Sequence, residues 1–402
     1  MATRVRARVK GQLLIWARES VGLSPSAVAK RLKVKPEVIE AWEANSAAPT
    51  VKQLQNLADL YKRPLGVFYL AEPPLSFQPM KDFRRMPGRG MRTLSYELAL
   101  EIRLAHQQRL LAIELAEESG EPPPPFTPRA TLADDPERVG LQIRELLGAT
   151  EDDRTHWASD KEGYTALNTW RARIEKIGVL VFQAQRVSSD EASGFAIAES
   201  PMPAIVVSRS DTPRRRTFSL LHEFAHLMLR VSGVSEIDVD AARPPEDLAV
   251  EVFCNRVASA VLMPRDLFVA EAIIRTHRSG PESWSDEDIT NLSHRYGVSR
   301  EVVVRRMLTF NLTTQRFYTT KREQYKKAFE TWTREKKAKM RASKKQFAKN
   351  PPRDALSNLG QPLVRRILES YYQDRLSLSD VSSYLGIRAR HVEKLESMVG
   401  GP

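Results

Sequence analysis

Between residues 8 and 70, apolar side chains recur at helical spacing in short blocks separated by turn residues. Leu13, Leu14, Ala17 and Val21 mark a first helix that stops at Gly22-Leu23. Ser24-Pro25 opens a second, with Ser as N-cap and Pro at the first helical position, carrying Val28, Ala29 and Leu32. After Lys33-Val34-Lys35, Pro36 opens a third through Val38, Ile39, Ala41 and Trp42. Asn45 falls just past its end, where a residue that tolerates a left-handed backbone is wanted. Pro49-Thr50 starts a fourth with Leu54, Leu57, Ala58 and Leu60, and a short fifth follows Pro64. Two short helices joined by a tight turn within a five-helix bundle predict a helix-turn-helix.

Pro73-Pro74 and Pro87-Gly88 bracket a linker that contains Asp82-Phe83-Arg84-Arg85. The spacing of Leu94, Leu98, Ile102, Ala105, Leu110, Ile113 and Leu115 predicts a long helix over 94–119, and Pro122 to Pro125 is a stiff break. Helices are expected at 135–147 and 164–176. Strands follow at 179–182, 194–198 and 204–207, β-branched runs bounded by Ser, Gly and Pro. From Arg216 to residue 312 the pattern is helical, interrupted near Pro244-Pro245, Pro264 and Gly280-Pro281. A final helical unit covers 354–397, where Leu376 to Asp380, Leu385-Gly386-Ile387 and Val392 to Leu395 look like paired short helices. No tandem repeat of fixed period is visible. The expected class is a mostly helical α+β protein with five segments. These are a helix-turn-helix domain (8–72), a linker and long helix (73–130), a mixed domain with a small sheet (131–318), a basic linker or helix (319–352) and a helical C-terminal extension (353–402).

The 402 residues are enough for two to four domains, and the single Cys excludes a disulfide framework or a Cys-rich zinc site. No apolar run is long enough to span a bilayer, and the N-terminus turns polar too early for a secretory signal. The expectation is a cytoplasmic protein with no membrane partner. The net charge of +12 is concentrated between Lys321 and Asn350, where nine Lys and three Arg face three Glu. Such an excess attracts nucleic acid without specifying a sequence, or forms a solvated helix face.

The chemistry concentrates in Thr217 to Leu229. His222 and His226 stand at i and i+4, so on a helix their imidazoles stack on one face and share one tetrahedral metal. Glu223 is one step round, placed to act on water as a general base without ligating the ion. This is His-Glu-x-x-His, the zincin signature. A catalytic zinc needs a third protein ligand, for which Asp238, Asp240, Glu246, Asp247 and Glu251 are candidates. Glu251 is favoured, because a helix expected over 251–264 brings its first turn back to the metal. The missing Gly-x-x-His continuation argues against a metzincin and leaves a gluzincin-like set: His222, His226 and Glu251 on one Zn2+ per chain, with Glu223 catalytic. Cys254, three residues after Glu251, is a candidate fourth ligand and redox-removable brake. The strand Ala204–Val207 is expected to offer an edge that aligns an extended substrate. His277 and His294 are candidates for steadying the oxyanion, although surface or core roles suit them better.

The string Leu14…Ala17-Arg18…Gly22-Leu23-Ser24…Ala29…Leu32…Ile39…Trp42-Glu43…Pro49-Thr50…Leu57-Ala58 resembles the XRE (Cro/repressor-like) family. That resemblance implies DNA contacts from Ser26 and Ala27, which stand where a Gln is usual, and from Lys35, Glu37, Val38 and Glu40 on the reading helix. The two acids there oppose phosphates unless they read cytosine amines. The segment His222-Glu223-Phe224-Ala225-His226-Leu227, with Glu251-x-x-x-Asn255, Leu262-Met263-Pro264 and Tyr296-Gly297-Val298-Ser299…Arg306-Met307, resembles the ImmA/IrrE metallo-endopeptidase family. The resemblance covers roughly residues 8–318. Cys254, Val257 and Ser208 depart from the usual Ala, Phe and Asn. The resemblance implies a zinc-dependent regulatory endopeptidase whose protein substrate is a transcriptional repressor in a stress or phage-related response. It also admits a DNA-binding regulator or antitoxin whose peptidase-like domain holds a partner toxin with little proteolysis. Double-stranded DNA and a homodimer are compatible with both.

Overall fold

In the computed structural model, which describes residues 5–74, 81–82, 94–123, 125–188, 191–235, 244–342 and 350–400, α1 spans Gly11–Glu19, α2 Pro25–Leu32, α3 Pro36–Glu43 and α4 Val51–Tyr61. The expected fifth helix is a 3₁₀ turn, Leu65–Tyr69. Ser24 accepts the Ala27 N–H to cap α2, and Thr50 with Gln53 forms a capping box on α4. Asn45 takes φ 58°, and its Oδ1 accepts the Gly11 N–H at 2.7 Å. Arg18 donates to both carboxylate oxygens of Glu43 at 2.7 and 3.0 Å, tying α1 to α3.

After β1 (Lys81–Asp82), α5 runs Tyr96–Glu118 and serves two cores. Leu100 joins the N-terminal bundle, whereas Leu98, Ile102 and Ala105 pack on the sheet. The Tyr96 hydroxyl donates to Leu60 O at 2.6 Å, and the Arg31 guanidinium lies over the Tyr96 ring. The bundle is therefore packed onto the start of α5. Helices α6 (Pro136–Leu146), α7 (Asp152–Ser159) and α8 (Tyr164–Lys176) follow. Helix α7 is absent from the apolar pattern because it is mostly polar. It is anchored by Trp157, whose ring lies 5.8 Å from that of Trp170.

The remaining strands are β2 (Leu180–Ala184), β3 (Gly194–Ile197), β4 (Ala204–Ser208) and β5 (Gly233–Ser235), with α9 (Pro213–Met228) between the last two. The sheet order is β1-β5-β3-β4-β2; β3 runs antiparallel to both neighbours, and the β2–β4 and β1–β5 pairs are parallel. Strand β4 is thus paired on both sides and offers no free edge, contrary to the expectation for Ala204–Val207. A crossover places β2 outside it.

Side chains alternate across the sheet as the pleat requires. Val181, Ala196, Ile205 and Val207 face α9 and its neighbours, whereas Leu180, Phe182, Phe195, Ile197, Ala204 and Val206 face α5 and the C-terminal helices. On the first side lie α10 (Pro245–Leu262), α11 (Arg265–Val269), α12 (Ala272–Thr276), α13 (Asp286–Tyr296), α14 (Arg300–Thr309) and the long α15 (Gln315–Ala342). The second side is completed by α16 (Pro351–Leu359), α17 (Gln361–Tyr372), α18 (Leu378–Leu385) and α19 (Val392–Val399). The expected basic segment 321–350 is helical through Ala342, and residues 343–349 lie outside the described residues, as do 83–88 of the linker and Pro124. Among the described residues no helix is long and apolar enough to cross a membrane.

Two contacts hold α10 where the next section needs it. Arg306 is 1% exposed; it donates to the Met263 carbonyl at 2.9 and 2.7 Å and pairs with Glu137 at 2.6 and 2.7 Å. One guanidinium so links α14, the end of α10 and the start of α6. Gly140 of α6 lets the two helices touch: a Cβ there would lie 2.5 Å from Ala260 Cβ and 3.0 Å from its carbonyl carbon. Gly140→Ala is expected to destabilise the fold by about 1–3 kcal/mol through overpacking, read as a lower urea midpoint. An unchanged midpoint would show that α6 yields freely.

Candidate metal centre

Helix α9 is buried all round from Arg216 to Met228, so its polar groups point into protein. His222 and His226 lie one turn apart with ring centroids 4.9 Å apart, and their Nε2 atoms are separated by 3.1 Å. Glu251 comes from α10, which crosses behind α9. Its Oε2 lies 3.5 Å from His222 Nε2 and its Oε1 lies 3.2 Å from His226 Nε2. All three side chains are 0% exposed, as is Glu223. Among the described residues, His222, His226 and Glu251 form the group of metal-capable side chains that converges, with donor atoms within 4.8 Å of one another.

This donor set fits a metal ion. A zinc tetrahedron with bonds of about 2.0–2.1 Å has edges of roughly 3.3–3.4 Å, close to the three separations observed. The tautomer is arranged for it as well: His222 Nδ1 meets Asn255 Oδ1 at 3.1 Å, so a proton on Nδ1 leaves Nε2 as a donor atom for an ion. Burial raises the Glu251 carboxyl, but the two imidazoles outweigh it and hold the group well below the usual carboxylate range. Glu223 is pushed well up, first by burial and then by the charge of Glu251, with a Ser235 hydrogen bond opposing. A cation between the imidazoles would relieve the pressure on Glu223.

Glu251 is the seventh residue of its helix, not a member of its first turn. Pro245 read as a break, but it opens α10 from the first helical position, where its missing N–H costs no bond. Of the other acids weighed as ligands, Glu246 is exposed, Asp247 is buried outside the converging group, and Asp238 and Asp240 lie outside the described residues. Cys254 is fully buried in the apolar core, outside that group, and burial pushes its thiol well up. His277 stacks on Trp284 at 3.7 Å and its Nε2 meets Gly280 O at 2.8 Å. His294 lies outside the converging group, on the wall of the cleft described below.

Three neighbours of the centre carried no assigned role in the sequence. Asn255 orients His222. Ser235, on the three-residue strand β5, places its Oγ 3.2 Å from His226 Nε2 and 3.5 Å from Glu223 Oε2. Gly194 leaves room for Glu223, since a Cβ would fall 2.6 Å from Val206 O and 3.1 Å from Glu223 Oε1. The Glu-x-x-x-Asn spacing could have exposed the first, because it puts both side chains on one helix face. A strand as short as β5 carries no readable alternation.

A cleft of about 2290 Å³ lies beside the centre at the N-terminal end of α9, where it is lined by Ser193 and Phe218; the Phe218 ring lies 6.4 Å from that of His222, and none of His222, Glu223, His226 and Glu251 lines the cleft. Its walls come from α8, α9, α14, α15 and α16 and carry eleven Arg and Lys side chains against six carboxylates. Arg216 lines it while 5% exposed, donating to the neutral Gln183 Oε1 at 2.9 Å.

Residues 174–308 match the family model Peptidase_M78, described as the IrrE N-terminal-like domain, and residues 14–68 match the helix-turn-helix model HTH_3. Together the two matches correspond to the ImmA/IrrE architecture. The matched peptidase segment includes both histidines, both glutamates and Asn255. Ser26, Lys35, Glu37 and Glu40 of the matched helix-turn-helix are exposed, and Ala27 and Val38 are half-buried. A solved structure named as a Mycobacterium tuberculosis transcriptional regulator is similar at 18% identity and a TM-score of 0.25, covering 45% of this chain and 53% of that one. The match thus spans about half the length of that regulator. No curated protein matches the chain.

Removing the orienting amide tests the donor geometry. Asn255→Ala is expected to weaken zinc affinity by about 10–100-fold in chelator competition. Equal affinity would mean that the Nδ1 contact is idle.

Proposed function

We propose that the protein is a zinc-dependent regulatory endopeptidase that cleaves a specific protein partner, a DNA-binding repressor. The observation that carries this reading is the convergence of His222, His226 and Glu251 beside Glu223, within a segment that matches a metallopeptidase family. In this reading the three converging side chains hold the ion and Glu223 is the catalytic residue. When bound there, zinc would supply Lewis acidity, able to polarise a carbonyl and to lower the pKa of water towards about 7. Glu223 takes the proton from the attacking water and delivers it to the leaving amine. Ser235 and Gly194 keep the Glu223 carboxylate in place. The cationic cleft next to the centre suits an acidic stretch of the partner.

A second reading has its own observation. Because all four functional side chains are fully buried, a peptide reaches them only after the wall of the centre opens. A protein that keeps this wall closed is a metal-stabilised regulator or antitoxin, which binds its partner without cutting it. In both readings the matched helix-turn-helix provides contact with double-stranded DNA.

Glu223→Gln separates the two when each form is incubated with the DNA-binding proteins and toxins encoded beside it. The peptidase reading predicts cleavage by the wild type, at least about 100-fold slower cleavage by the variant, and equal zinc content in both. Stable complexes with no cleaved product from either form would contradict it and favour the antitoxin reading.

A further inference from the structure

The C-terminal helices repeat the N-terminal helix-turn-helix at a constant offset. Ser24 and Ser377 are both N-caps, each accepting the N–H three residues on. Nine residues later the chain turns left-handed, at Lys33 (φ 57°) and Gly386 (φ 63°). Lys35 and Arg388 then re-enter a helix from matching extended backbones, φ −79° ψ 149° and φ −73° ψ 146°. The turn hydrogen bonds correspond: Val34 N–H to Ala29 O and Ile387 N–H to Ser382 O, then Val38 N–H to Lys35 O and His391 N–H to Arg388 O. So do the buried positions, Val28 with Val381, Ile39 with Val392 and Trp42 with Leu395. Every pair is separated by 353 positions, as 24 is from 377 and 42 from 395. α17, packed against α18 and α19 in the sheet-facing core, supplies the supporting helix.

The two copies differ in the charge they present. The second helix of the N-terminal copy exposes Lys35, Glu37 and Glu40, one cation against two anions. The corresponding stretch of the C-terminal copy exposes Arg388, Arg390, Glu393 and Lys394, three cations against one anion. A helix-turn-helix reads a duplex with the N-terminal end of its second helix, where Arg pairs with guanine O6 and N7 and Lys with phosphate. Three cations gathered at that end suit the major groove, whereas two carboxylates at the same place repel it.

We propose that α18 and α19 form a second helix-turn-helix, which binds double-stranded DNA through Arg388, Arg390 and Lys394. Its buried face is part of the core that covers the sheet, so a duplex held there sits on the same body as the metal centre. The proposal does not depend on peptidase activity.

The test uses the full chain and a fluorescent 30-base-pair duplex of random sequence, with affinity measured by anisotropy across a potassium chloride series. The triple variant Arg388→Ala, Arg390→Ala, Lys394→Ala is compared with Lys30→Ala, Lys35→Ala. All the changed side chains are exposed, so thermal midpoints are expected to stay at the wild-type value. The triple variant is expected to lose at least about tenfold in affinity at low salt. Its slope of log affinity against log salt should be shallower by about two to three, at roughly 0.9 per lost phosphate contact. The double variant should change less. Wild-type affinity and slope in the triple variant would overturn the proposal, whether the motif then serves a protein partner or none. Absence of duplex binding by the wild type at low salt would overturn it too.

Discussion

A carboxylate and two imidazoles buried without exposure in an apolar core must meet one another, and the rest of this structure is arranged so that they do. An ionised group removed from water costs several kcal/mol unless it is matched, and one left unpaired by loss of its partner costs about 3–5 kcal/mol. The i, i+4 spacing settles the histidines within one helix. Glu251 comes from another, so its position depends on how closely α10 packs. Arg306 fastens the end of α10, Gly140 allows α6 to press against it, and Asn255 returns from α10 to hold His222. Arg306 and Gly140 act from far along the sequence and Asn255 from the next turn of the same helix, and each limits where that carboxylate can be.

The sheet carries this arrangement to the rest of the chain. Its pleat sends alternate residues into two cores, one containing α9 and α10, the other containing α5 and the C-terminal helices. α5 in turn shares Leu100 with the N-terminal bundle. The matched helix-turn-helix, the metal centre and the C-terminal motif are thus joined by packed helices and not only by linkers. The cationic cleft between α9 and α15 is open to a partner, while the candidate metal-binding side chains beside it are fully buried. Regulation of an activity at that centre is a question of what moves this wall.

The centre was legible because its chemistry is local. Two His and a Glu interrupting an apolar helical run need no tertiary information, and α2, α3 and α4 could be placed from Ser24, Pro25, Pro36 and Thr50. What escaped depends on long-range packing or on very short elements. Pro245 is both a helix breaker and a good first helical residue, and choosing between them needs the partner helix, so α10 begins six residues before the start that the sequence predicts. β5 has three residues and α7 is polar, so neither gives a periodic signal. The sequence predicts an edge at β4 because crossover topology is not written in any single strand. The C-terminal unit reads as paired short helices, but its match to the N-terminal one is not visible in the sequence because it rests on caps, a left-handed turn and a few buried positions, with Gly386 and Lys33 serving the same backbone need.

The central claim is that His222, His226 and Glu251 together hold one ion. X-ray absorption at the zinc edge of the purified chain tests it most directly, beside Glu251→Ala. The account predicts one zinc per chain, with two imidazole nitrogens and carboxylate oxygen at about 2.0–2.1 Å, and loss of the carboxylate scatterer with weakened retention in the variant. A wild-type spectrum without imidazole ligation, or one that Glu251→Ala leaves unchanged, would contradict it.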